Sequence, residues 1–542
     1  MEELINQKPC VVQKIETPQG FSVSYKEHLL YSKYNPSKNI ISFIEKLQLL
    51  PGSIILCFSP LLGYGLPELS RKLPDNCLIL LCEADKSLYD FSIAEGLANF
   101  SSQTIICCNP ETLGKLPLKL YEFAKSGLYK RVIRIDMSAG TQFNNDFYNK
   151  LYTACSDSVM TFWKNRITLT KFGRRYSKNL FENLHYLAAT KAISDYFGKI
   201  SKPIIVFGAG ESTQLLLNDK NFNSEDFYIL CADTALQPLL KNGIKVDGVF
   251  IEEAQSVITK AFIGLNNVPH IFAGLSSSPN IEHKFGPQQI SYFFTEYAEG
   301  SFFDSLKTKT FMPPANKAFG SVGLTALYYA LKFRKAESIP VYVCGLDFSY
   351  SIGSTHTKGA LAHLMRLITG KRLQSLANYS AAFGTGSEKI IGKDGKELIT
   401  TPTLKSYASM FTNFFADEKN LYDAGKSGID LGLPKVDYFN SNASCPCESD
   451  TRSQFDREGP SNLQAKEIEE FLHNEKAALE ELLSLFTGNS KLNKKEQLTR
   501  IRELAAPREY LYLHFADGWT FSTDQSFLNR IRTEIDFFLK YL

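Results

Sequence analysis

The sequence contains no apolar run long enough to cross a membrane. A spanning helix needs about 18 uninterrupted apolar residues, and no stretch of the 542 residues reaches that length. The opening residues, MEELINQKPCVVQKIE, also lack the continuous apolar segment after a basic start that marks a secretory leader. We therefore expect a protein without a membrane span that stays in the cytoplasm.

An excess of either charge is absent as well. The 60 Lys and Arg side chains are balanced by 57 Asp and Glu, which gives a net charge of +3. A chain with this balance has no whole-protein field that would hold nucleic acid. The length exceeds what one hydrophobic core organises. We expect two or three globular domains that recognise their partners at local sites, with no nucleic acid among those partners.

The 11 cysteines lack the spacing of a metal or disulfide framework. The close pair Cys445 and Cys447 is spaced unlike a zinc site and has no second pair. Other cysteines lie inside apolar strand-like runs, where a reduced thiol packs as a small apolar side chain. We predict no metal site, and core packing for Cys57, Cys82, Cys107, Cys231 and Cys344.

Strand-like and helix-like patterns alternate in residues 1–150. Short apolar runs at 53–58, 77–83 and 104–108 are separated by helical patterns, which indicates a parallel sheet with helices on its faces. A glycine turn after the first run and Glu83 after the second copy the layout of a nucleotide-binding half, but the full G-x-G-x-x-G motif is missing. A structural Rossmann-like domain is therefore favoured over one that binds a cofactor.

Helical patterns flank a second α/β domain, which we place at 201–440. Residues 151–200 have helical spacing interrupted only by Gly173 and predict a connector of two helices. Residues 441–542 begin with a linker rich in Ser, Asn, Asp and Pro and continue as a helical domain. Its apolar stripe either packs on the rest of the protein or helps to bind a partner. The stripe comprises Ile468, Leu472, Leu479, Leu482 and Leu483.

A glycine turn follows the first buried strand of the central domain. In IIVFGAGES, Gly208 and Gly210 leave room for a ligand beside the backbone, and a helix begins at Ser212 or Thr213. The N–H groups at the start of a helix attract anions, so a nucleotide phosphate is the natural occupant. A tight connection without a ligand would give the same pattern.

Acidic and hydroxyl side chains follow the next two predicted strands. Asp233 and Thr234 come after the second strand of the central domain, and Glu252 and Glu253 come after the third. Ligands of open α/β folds bind at the carboxyl edge of the sheet, which is where these residues are expected to lie. The alternative for Asp233 is that it only caps the helix that follows.

Two later segments add candidates at the same edge. FGSVGLTALYYALKF predicts a buried helix whose start, near Ser321, is built from small residues that leave room for a ligand. The strand IPVYVC is followed by Asp347 and Tyr350, and then by His356. A histidine placed behind such a strand end favours a catalytic or phosphate-facing role over that of an ordinary surface loop residue.

Taken in order, GAGES, ADTAL, IKVDGVFIEE, FGSVGLTALYYAL and VCGLDFSYSIGSTHTKG resemble the central domain of the motility accessory factor (Maf) family of flagellin glycosyltransferases. That domain is shared with the MptE-like hydroxymethylpterin pyrophosphokinases and is similar to bacterial sialyltransferases. HLLYSKYNPSKNIISFIE resembles the family's N-terminal domain, so the resemblance covers about residues 20–440. The expected fold is α/β, with two Rossmann-like parallel-sheet domains followed by a helical C-terminal domain.

The resemblance implies an enzyme that transfers a nonulosonic, sialic-acid-like sugar from its CMP-activated form to Ser or Thr of flagellin, as flagellum assembly and motility require. Flagellin and the CMP-nonulosonic acid are the implied partners, with no cofactor besides the donor and no metal. The implied general base is His356, and Tyr350 would contact the phosphate, with Asp347 beside them in the catalytic group. The implied nucleotide-binding residues are Gly208, Gly210, Ser212, Asp233, Thr234 and Ser321.

Two departures from the family pattern concern the donor site. Glu211 stands where the family has proline, and Glu252 with Glu253 stands where it has an aspartate. The Glu211 carboxylate would repel a phosphate unless its side chain turns outward. Two other functions remain open: a pterin pyrophosphokinase that uses ATP and magnesium, and a non-catalytic flagellin-binding factor that needs no CMP-sugar.

Overall fold

The computed structural model describes four stretches of the chain: residues 11–373, 377–436, 462–487 and 492–542. Cys445 and Cys447 lie outside these stretches, together with the polar linker predicted after residue 440. That these two cysteines bind no zinc therefore stays a prediction.

The chain divides into two compact units. The first consists of the residues up to Lys171 together with Phe515–Thr520, and the second of Phe172–His514 and Phe521–Leu542. Each unit is built on a parallel β-sheet with helices packed on it.

The first unit combines a small antiparallel sheet, β1 to β3, with a parallel sheet in the order β6-β5-β4-β7. Strands β4 and β5 are buried along their whole length, because LILLC is apolar throughout, SIILCF is apolar after Ser53, and helices cover both faces of the sheet. The strands predicted from these apolar runs are confirmed. The elements are β1 (Gln13–Thr17), β2 (Gly20–Tyr25), β3 (His28–Leu29), α1 (Lys38–Lys46), β4 (Ser53–Phe58), α2 (Leu66–Arg71), β5 (Leu78–Cys82), α3 (Lys86–Ala94), β6 (Ile105–Cys108), α4 (Leu116–Lys125) and β7 (Arg131–Asp136).

One long helix, α5 (Asn145–Leu187), follows the first sheet and has residues in both units. The prediction of two helices is wrong here, because the helix continues through Gly173. A single glycine inside a helix costs only about 1 kcal/mol relative to alanine. Buried side chains beyond Gly173, including Leu180, Phe181 and Leu184, offset that cost through packing.

The second unit contains the remaining elements up to residue 436. They alternate strand and helix as the sequence predicts for an α/β domain. They are β8 (Lys191–Ala192), β9 (Ile204–Phe207), α6 (Glu211–Leu217), β10 (Tyr228–Ala232), α7 (Asp233–Lys241), β11 (Gly248–Ile251), β12 (His270–Gly274), α8 (Asn280–Phe285), β13 (Ile290–Glu296), α9 (Ser301–Lys307), β14 (Ala315–Lys317), α10 (Val322–Phe333), β15 (Val341–Cys344), α11 (Leu361–Ile368), α12 (Ala377–Ser380), β16 (Glu388–Ile391), β17 (Glu397–Thr400), α13 (Pro402–Phe415) and β18 (Leu421–Asp423).

The large sheet of this unit is parallel throughout, in the order β14-β13-β12-β11-β10-β9-β15-β18, with β8 beside β13. Helix α10 is apolar on nearly all sides and packs across β9, β10 and β11. Its Tyr329 lies against Phe250 and Phe293 of the sheet. The central core therefore lies directly beneath the strand ends that carry the candidate site.

The C-terminal part is helical, with α14 (Asn462–Phe486), α15 (Lys494–Ala505) and α16 (Gln525–Phe538). The stripe residues Ile468, Leu472, Leu479 and Leu482 are buried. Next to them on α14, Phe471 contacts Phe302 of α9. Of the two alternatives for this stripe, packing within the protein is the one observed, so the stripe itself is not a surface for flagellin.

The predicted fold class is confirmed: parallel-sheet α/β structure in both units and a helical C-terminal region. Cys57, Cys82, Cys231 and Cys344 are buried in the core as predicted, whereas Cys107 is only half-buried. Among the described residues, no helix combines the length and the apolar character that a bilayer crossing requires.

Candidate functional site

The chain order of the large sheet reverses at β9. Strands β10 to β14 extend the sheet on one side of β9, and β15 and β18 extend it on the other. In open α/β sheets, ligands bind outside the carboxyl ends of the strands at such a switch point. The candidate site is therefore the edge at which β9, β10, β11 and β15 end.

The glycine turn after β9 packs closely against the loop after β15. The N–H of Gly208 donates to the carbonyl of Cys344 over 2.8 Å. The N–H of Gly210 donates to the carbonyl of Gly345 over 2.9 Å. A Cβ atom at Gly208 would lie 2.4 Å from the Gly345 oxygen, and one at Gly210 would lie 2.4 Å from Oδ2 of Asp347. The two glycines are thus needed for the contact between turn and loop, whether or not a phosphate binds.

The start of helix α6 already holds a carboxylate of the protein. The Ser212 N–H donates to Oδ2 of Asp347 over 2.8 Å, and the Ser212 hydroxyl donates to the carbonyl of Ser427 over 2.9 Å. Asp347 is only 3% exposed, and burial raises the pKa of its carboxyl to about 6, against the opposing effects of Ser212 and Lys393. In this structure an anion does occupy the helix start, but the anion is Asp347.

The ends of β10 and β11 carry carboxyl groups bound by hydroxyls. Oδ1 of Asp233 accepts hydrogen bonds from the N–H and the hydroxyl of Thr234, over 2.7 and 3.0 Å. The Glu252 carboxyl accepts from Thr295 over 2.8 Å and from Thr325 over 3.0 Å. Burial raises the pKa of both Asp233 and Glu252. Carboxyl groups repel phosphate and accept hydrogen bonds from hydroxyl and amino groups, so this edge suits the ribose and base of a nucleotide.

Asp233 does not cap helix α7 in the way that the alternative interpretation required. It is the first residue of α7, and Ala232 occupies the N-cap position. An N-cap side chain accepts from an N–H two or three residues further on, whereas the Asp233 carboxyl accepts from the adjacent Thr234. The carboxyl therefore stays at the edge of the sheet.

Ser321 is the N-cap residue of α10, preceded by Gly320 with a φ of 71°. Its side chain is half-buried. The space predicted near it is partly filled, because a Cβ atom at Gly323 would lie 2.3 Å from Cδ2 of Leu346. Gly323 therefore serves the packing of the β15 loop on α10.

Tyr350 is almost fully buried, with 8% of its surface exposed. Its hydroxyl donates to the carbonyl of Ala381 over 2.9 Å, and its main chain exchanges two 2.9 Å hydrogen bonds with Ile399. The ring packs with Ala382 and Ile399. A contact of this hydroxyl with phosphate, which the family resemblance implies, would require the bond to Ala381 to open.

His356 belongs to a hydrogen-bonded group on the loop after β15. The Thr355 hydroxyl donates to Oδ1 of Asn378 over 3.1 Å and accepts from Arg366, and Nδ1 of His356 lies 3.2 Å from the same hydroxyl oxygen. Because the hydroxyl proton is directed to Asn378, Nδ1 must be the donor in the remaining contact, which leaves the lone pair on Nε2. Burial, with Arg366 and His363, lowers the pKa of His356 to about 4, so the imidazole is neutral at pH 7.

The His356 loop is joined to the glycine turn. The N–H of Thr357 donates to the carbonyl of Ala209 over 2.8 Å, and the Ser351 hydroxyl donates to the Glu211 carboxylate. The Glu211 carboxylate is therefore bound by the loop, while the next N–H of α6, that of Ser212, binds Asp347. The structure thus brings the segment that carries His356 next to the turn of Gly208 and Gly210.

Sequence reasoning missed Thr355, Asn378 and Arg366. Only Thr355, as the neighbour of His356, could have been suspected from the sequence. Asn378 and Arg366 lie on α12 and α11, at positions whose sequence pattern carries no sign of a contact with the loop.

Two cavities lie away from this edge. One, of about 550 Å³, is lined by α9, α14 and Arg508 within the second unit. The other, of about 590 Å³, is lined by residues 29–43 and 134–139 of the first unit. Both are lined by residues other than the predicted site residues, so the candidate site is defined by its hydrogen bonds and its place in the sheet.

The central part of the chain is similar to one described protein family. The family model described as 6-hydroxymethylpterin diphosphokinase MptE-like matches residues 175–353. This range contains the glycine turn, Asp233, Ser321, Asp347 and Tyr350, and it ends just before His356. An uncharacterised protein of Treponema pallidum (strain Nichols) is 29% identical over 97% of this chain and 94% of its own length.

A solved structure shares the fold over nearly the whole chain. It is the Maf glycosyltransferase from Magnetospirillum magneticum AMB-1, with a TM-score of 0.50 and 13% sequence identity, over 99% of this chain and 92% of that protein. At this identity the likeness concerns the fold. Together with the MptE-like domain it confirms, at the level of fold, the resemblance to the Maf family predicted from the sequence.

Proposed function

We propose that this chain, with its MptE-like central domain and the fold of a Maf glycosyltransferase, is itself a glycosyltransferase acting in the cytoplasm. Its donor is a CMP-activated nonulosonic acid and its acceptor a Ser or Thr hydroxyl of flagellin. The donor and acceptor follow from the sequence resemblance, since the fold alone hosts many chemistries.

The observation that carries this proposal is the junction of the His356 loop with the glycine turn. The 2.8 Å hydrogen bond from Thr357 to Ala209 holds a neutral histidine beside the turn at the switch point of the sheet. A transferase to a hydroxyl acceptor needs a base close to the donor. The junction supplies that arrangement.

The expected reaction breaks the bond between the sugar and the CMP oxygen and forms a bond from the sugar to the acceptor oxygen. Nε2 of His356 removes the acceptor proton. Asp233 accepts hydrogen bonds from the ribose and cytosine of the donor, and Thr234 donates to them. The start of α10 at Ser321 faces the departing phosphate, because a helix N-terminus stabilises negative charge. These residues hold and orient the substrates and move one proton.

A pyrophosphokinase is the second candidate because the matching family model carries that description. It would bind ATP with magnesium and a pterin. Among the described residues, no three His, Cys, Asp or Glu side chains are grouped closely enough to hold a metal ion, so this candidate rests on the family model alone. A flagellin-binding factor without activity would bind neither nucleotide.

Calorimetric titration with CMP separates the three functions. We expect the purified protein to bind CMP equally well with magnesium and with EDTA. We expect Asp233→Ala to weaken binding about tenfold, since it removes a hydrogen-bonding carboxylate worth about 1.5 kcal/mol, while Asp226→Ala, at an exposed site before β10, leaves binding unchanged. Binding of ATP that requires magnesium, without binding of CMP, would favour the pyrophosphokinase.

A further inference from the structure

Helix α11 presents apolar side chains that the described part of the chain leaves exposed. Its sequence is LAHLMRLI, and every side chain of this helix is at least partly exposed. Met365, Leu367 and Ile368 have exposed fractions of 38%, 44% and 75%. Clustered exposed apolar residues of this kind mark interaction sites in soluble proteins.

The exposed apolar surface continues onto the neighbouring elements. Helix α11 contacts α12, whose Tyr379 is 53% exposed, and Phe383 just beyond α12 is 73% exposed. A Cβ atom at Gly353 would lie 2.8 Å from the Tyr379 ring, so Tyr379 packs on the His356 loop next to the exposed Ile352. Residues 351–373 and 377–387 thus form one surface, here named the flap.

The flap is basic and contains no acidic residue. Residues 348–387 include no Asp or Glu, while Lys358, Arg366, Lys371 and Arg372 lie within them. The whole chain is nearly neutral at +3, so this concentration of positive charge is local. A partner that covers the apolar residues must therefore tolerate or supply negative charge.

The flap is attached to the candidate base. The Thr355 hydroxyl lies 3.2 Å from Nδ1 of His356 and donates to Asn378 of α12, and Arg366 of α11 donates to Thr355. One hydrogen-bonded group thus connects the exposed helices with His356, the proposed base. A partner bound on the flap would lie beside His356.

We propose that the flap is the docking surface for the acceptor polypeptide, and that it selects a segment that combines apolar and acidic side chains. This inference rests on the proposed function, because it assumes a protein acceptor. The apolar residues of α11 and α12 bury the apolar face of the segment, and the surrounding Lys and Arg side chains attract its carboxylates. Docking there places a Ser or Thr hydroxyl of the segment within reach of His356.

A basic apolar surface also fits an anionic lipid bilayer. The attachment to His356 favours the protein acceptor, because a bilayer on the flap would cover the face from which the acceptor hydroxyl approaches. A second copy of the chain is a less suitable occupant because its own flap carries the same charge.

Steady-state kinetics with flagellin of the same organism as acceptor tests the inference. We expect Ile368→Glu, and separately Lys371→Glu with Arg372→Glu, to raise KM for flagellin at least tenfold with kcat changed less than about threefold, because docking is weakened and the chemistry is not. The matched control is Leu118→Glu on α4, at a site 73% exposed, and its KM should equal that of the wild type.

Each outcome decides one of the two proposals. If the wild type transfers no sugar to flagellin, the proposed function fails. If it does and the flap variants keep the wild-type KM, the docking inference alone is wrong. Thermal melting shows that the variants are folded. If both flap variants keep the wild-type KM but abolish co-sedimentation with phosphatidylglycerol vesicles, the flap binds lipid. If they keep that KM but abolish a monomer–dimer equilibrium in ultracentrifugation, the flap binds a second copy of the chain.

Discussion

At the scale of single residues, His356 is the group whose position and protonation state fit a base. Its contact with Thr355 leaves Nε2 free to accept a proton. A pKa of about 4 keeps it neutral but makes it a weaker base than a histidine near pKa 7, since proton transfer is most efficient when the pKa is close to the working pH. The surroundings of His356 thus keep its imidazole neutral but make it a weaker base.

We expect His356→Ala to lower kcat by about 10²- to 10⁴-fold, the usual range for loss of a general base, with the affinity for CMP unchanged. The control is His363→Ala, which removes a neighbouring imidazole that contacts Asn378 and should change kcat only a few-fold. Single-turnover rates and CMP titrations of both variants give the comparison. Similar losses for both would indicate a structural role of the loop and no base at His356.

The pH dependence follows from the lowered pKa of His356. A histidine base with the ordinary pKa of about 6.5 would lose activity below about that pH. With the pKa lowered to about 4, protonation of His356 should leave the rate unchanged between pH 7 and about pH 5 and reduce it only near pH 4. A fall in the rate near pH 6 would instead report Asp347, whose carboxyl has a pKa of about 6. The free energy of unfolding changes in the same direction. Folding favours the neutral form of His356, so this residue contributes fully to stability above pH 6.5, and the contribution is lost as the pH falls toward 4.

At the scale of elements, helix ends show how the fold uses carboxylates from distant parts of the chain. Asp347 occupies the start of α6. Glu509 does the same for α9, where its two oxygens accept from the N–H groups of Ser301 and Phe302 over 2.7 and 2.9 Å. A carboxylate at a helix N-terminus satisfies unpaired donors and interacts favourably with the helix dipole.

We therefore expect Glu509→Ala to reduce the free energy of unfolding by about 1–2 kcal/mol, the usual effect of removing an N-terminal cap. Glu503→Ala is the control, because that side chain is exposed and pairs only with Arg500 at the surface, where ion pairs contribute less than about 1 kcal/mol. Urea denaturation measures both. Equal stability of the two variants would show that Glu509 does not stabilise α9.

The strands and the helices of the α/β regions could be predicted from sequence because continuous apolar runs such as SIILCF and IIVF are local signals. The partners of the site residues could not. The Ser212–Asp347 bond joins residues 135 positions apart, and the Arg366 and Asn378 contacts with Thr355 depend on how α11 and α12 fold back. The sequence motifs thus predicted which strand ends converge, while the hydrogen bonds that close the glycine turn appear only in three dimensions.

At the scale of the whole molecule, both units contain a parallel sheet in which one strand lies at the point where the chain order reverses. In the first unit that strand is β4, between β5 and β7, and in the second it is β9, between β10 and β15. The predicted site residues all come after strands of the second sheet, except Ser321, which lies at the start of α10. The central claim about function therefore concerns the second unit.

The most direct test of that claim is the intact mass of flagellin after incubation with the purified protein and a CMP-nonulosonic acid. We predict mass increments of whole sugar residues on flagellin, equal amounts of CMP released, the same yield in EDTA, and loss of the increments in His356→Ala. Flagellin of unchanged mass beside an intact donor would contradict the account, and formation of AMP from ATP and hydroxymethylpterin in the presence of magnesium would identify the pyrophosphokinase instead.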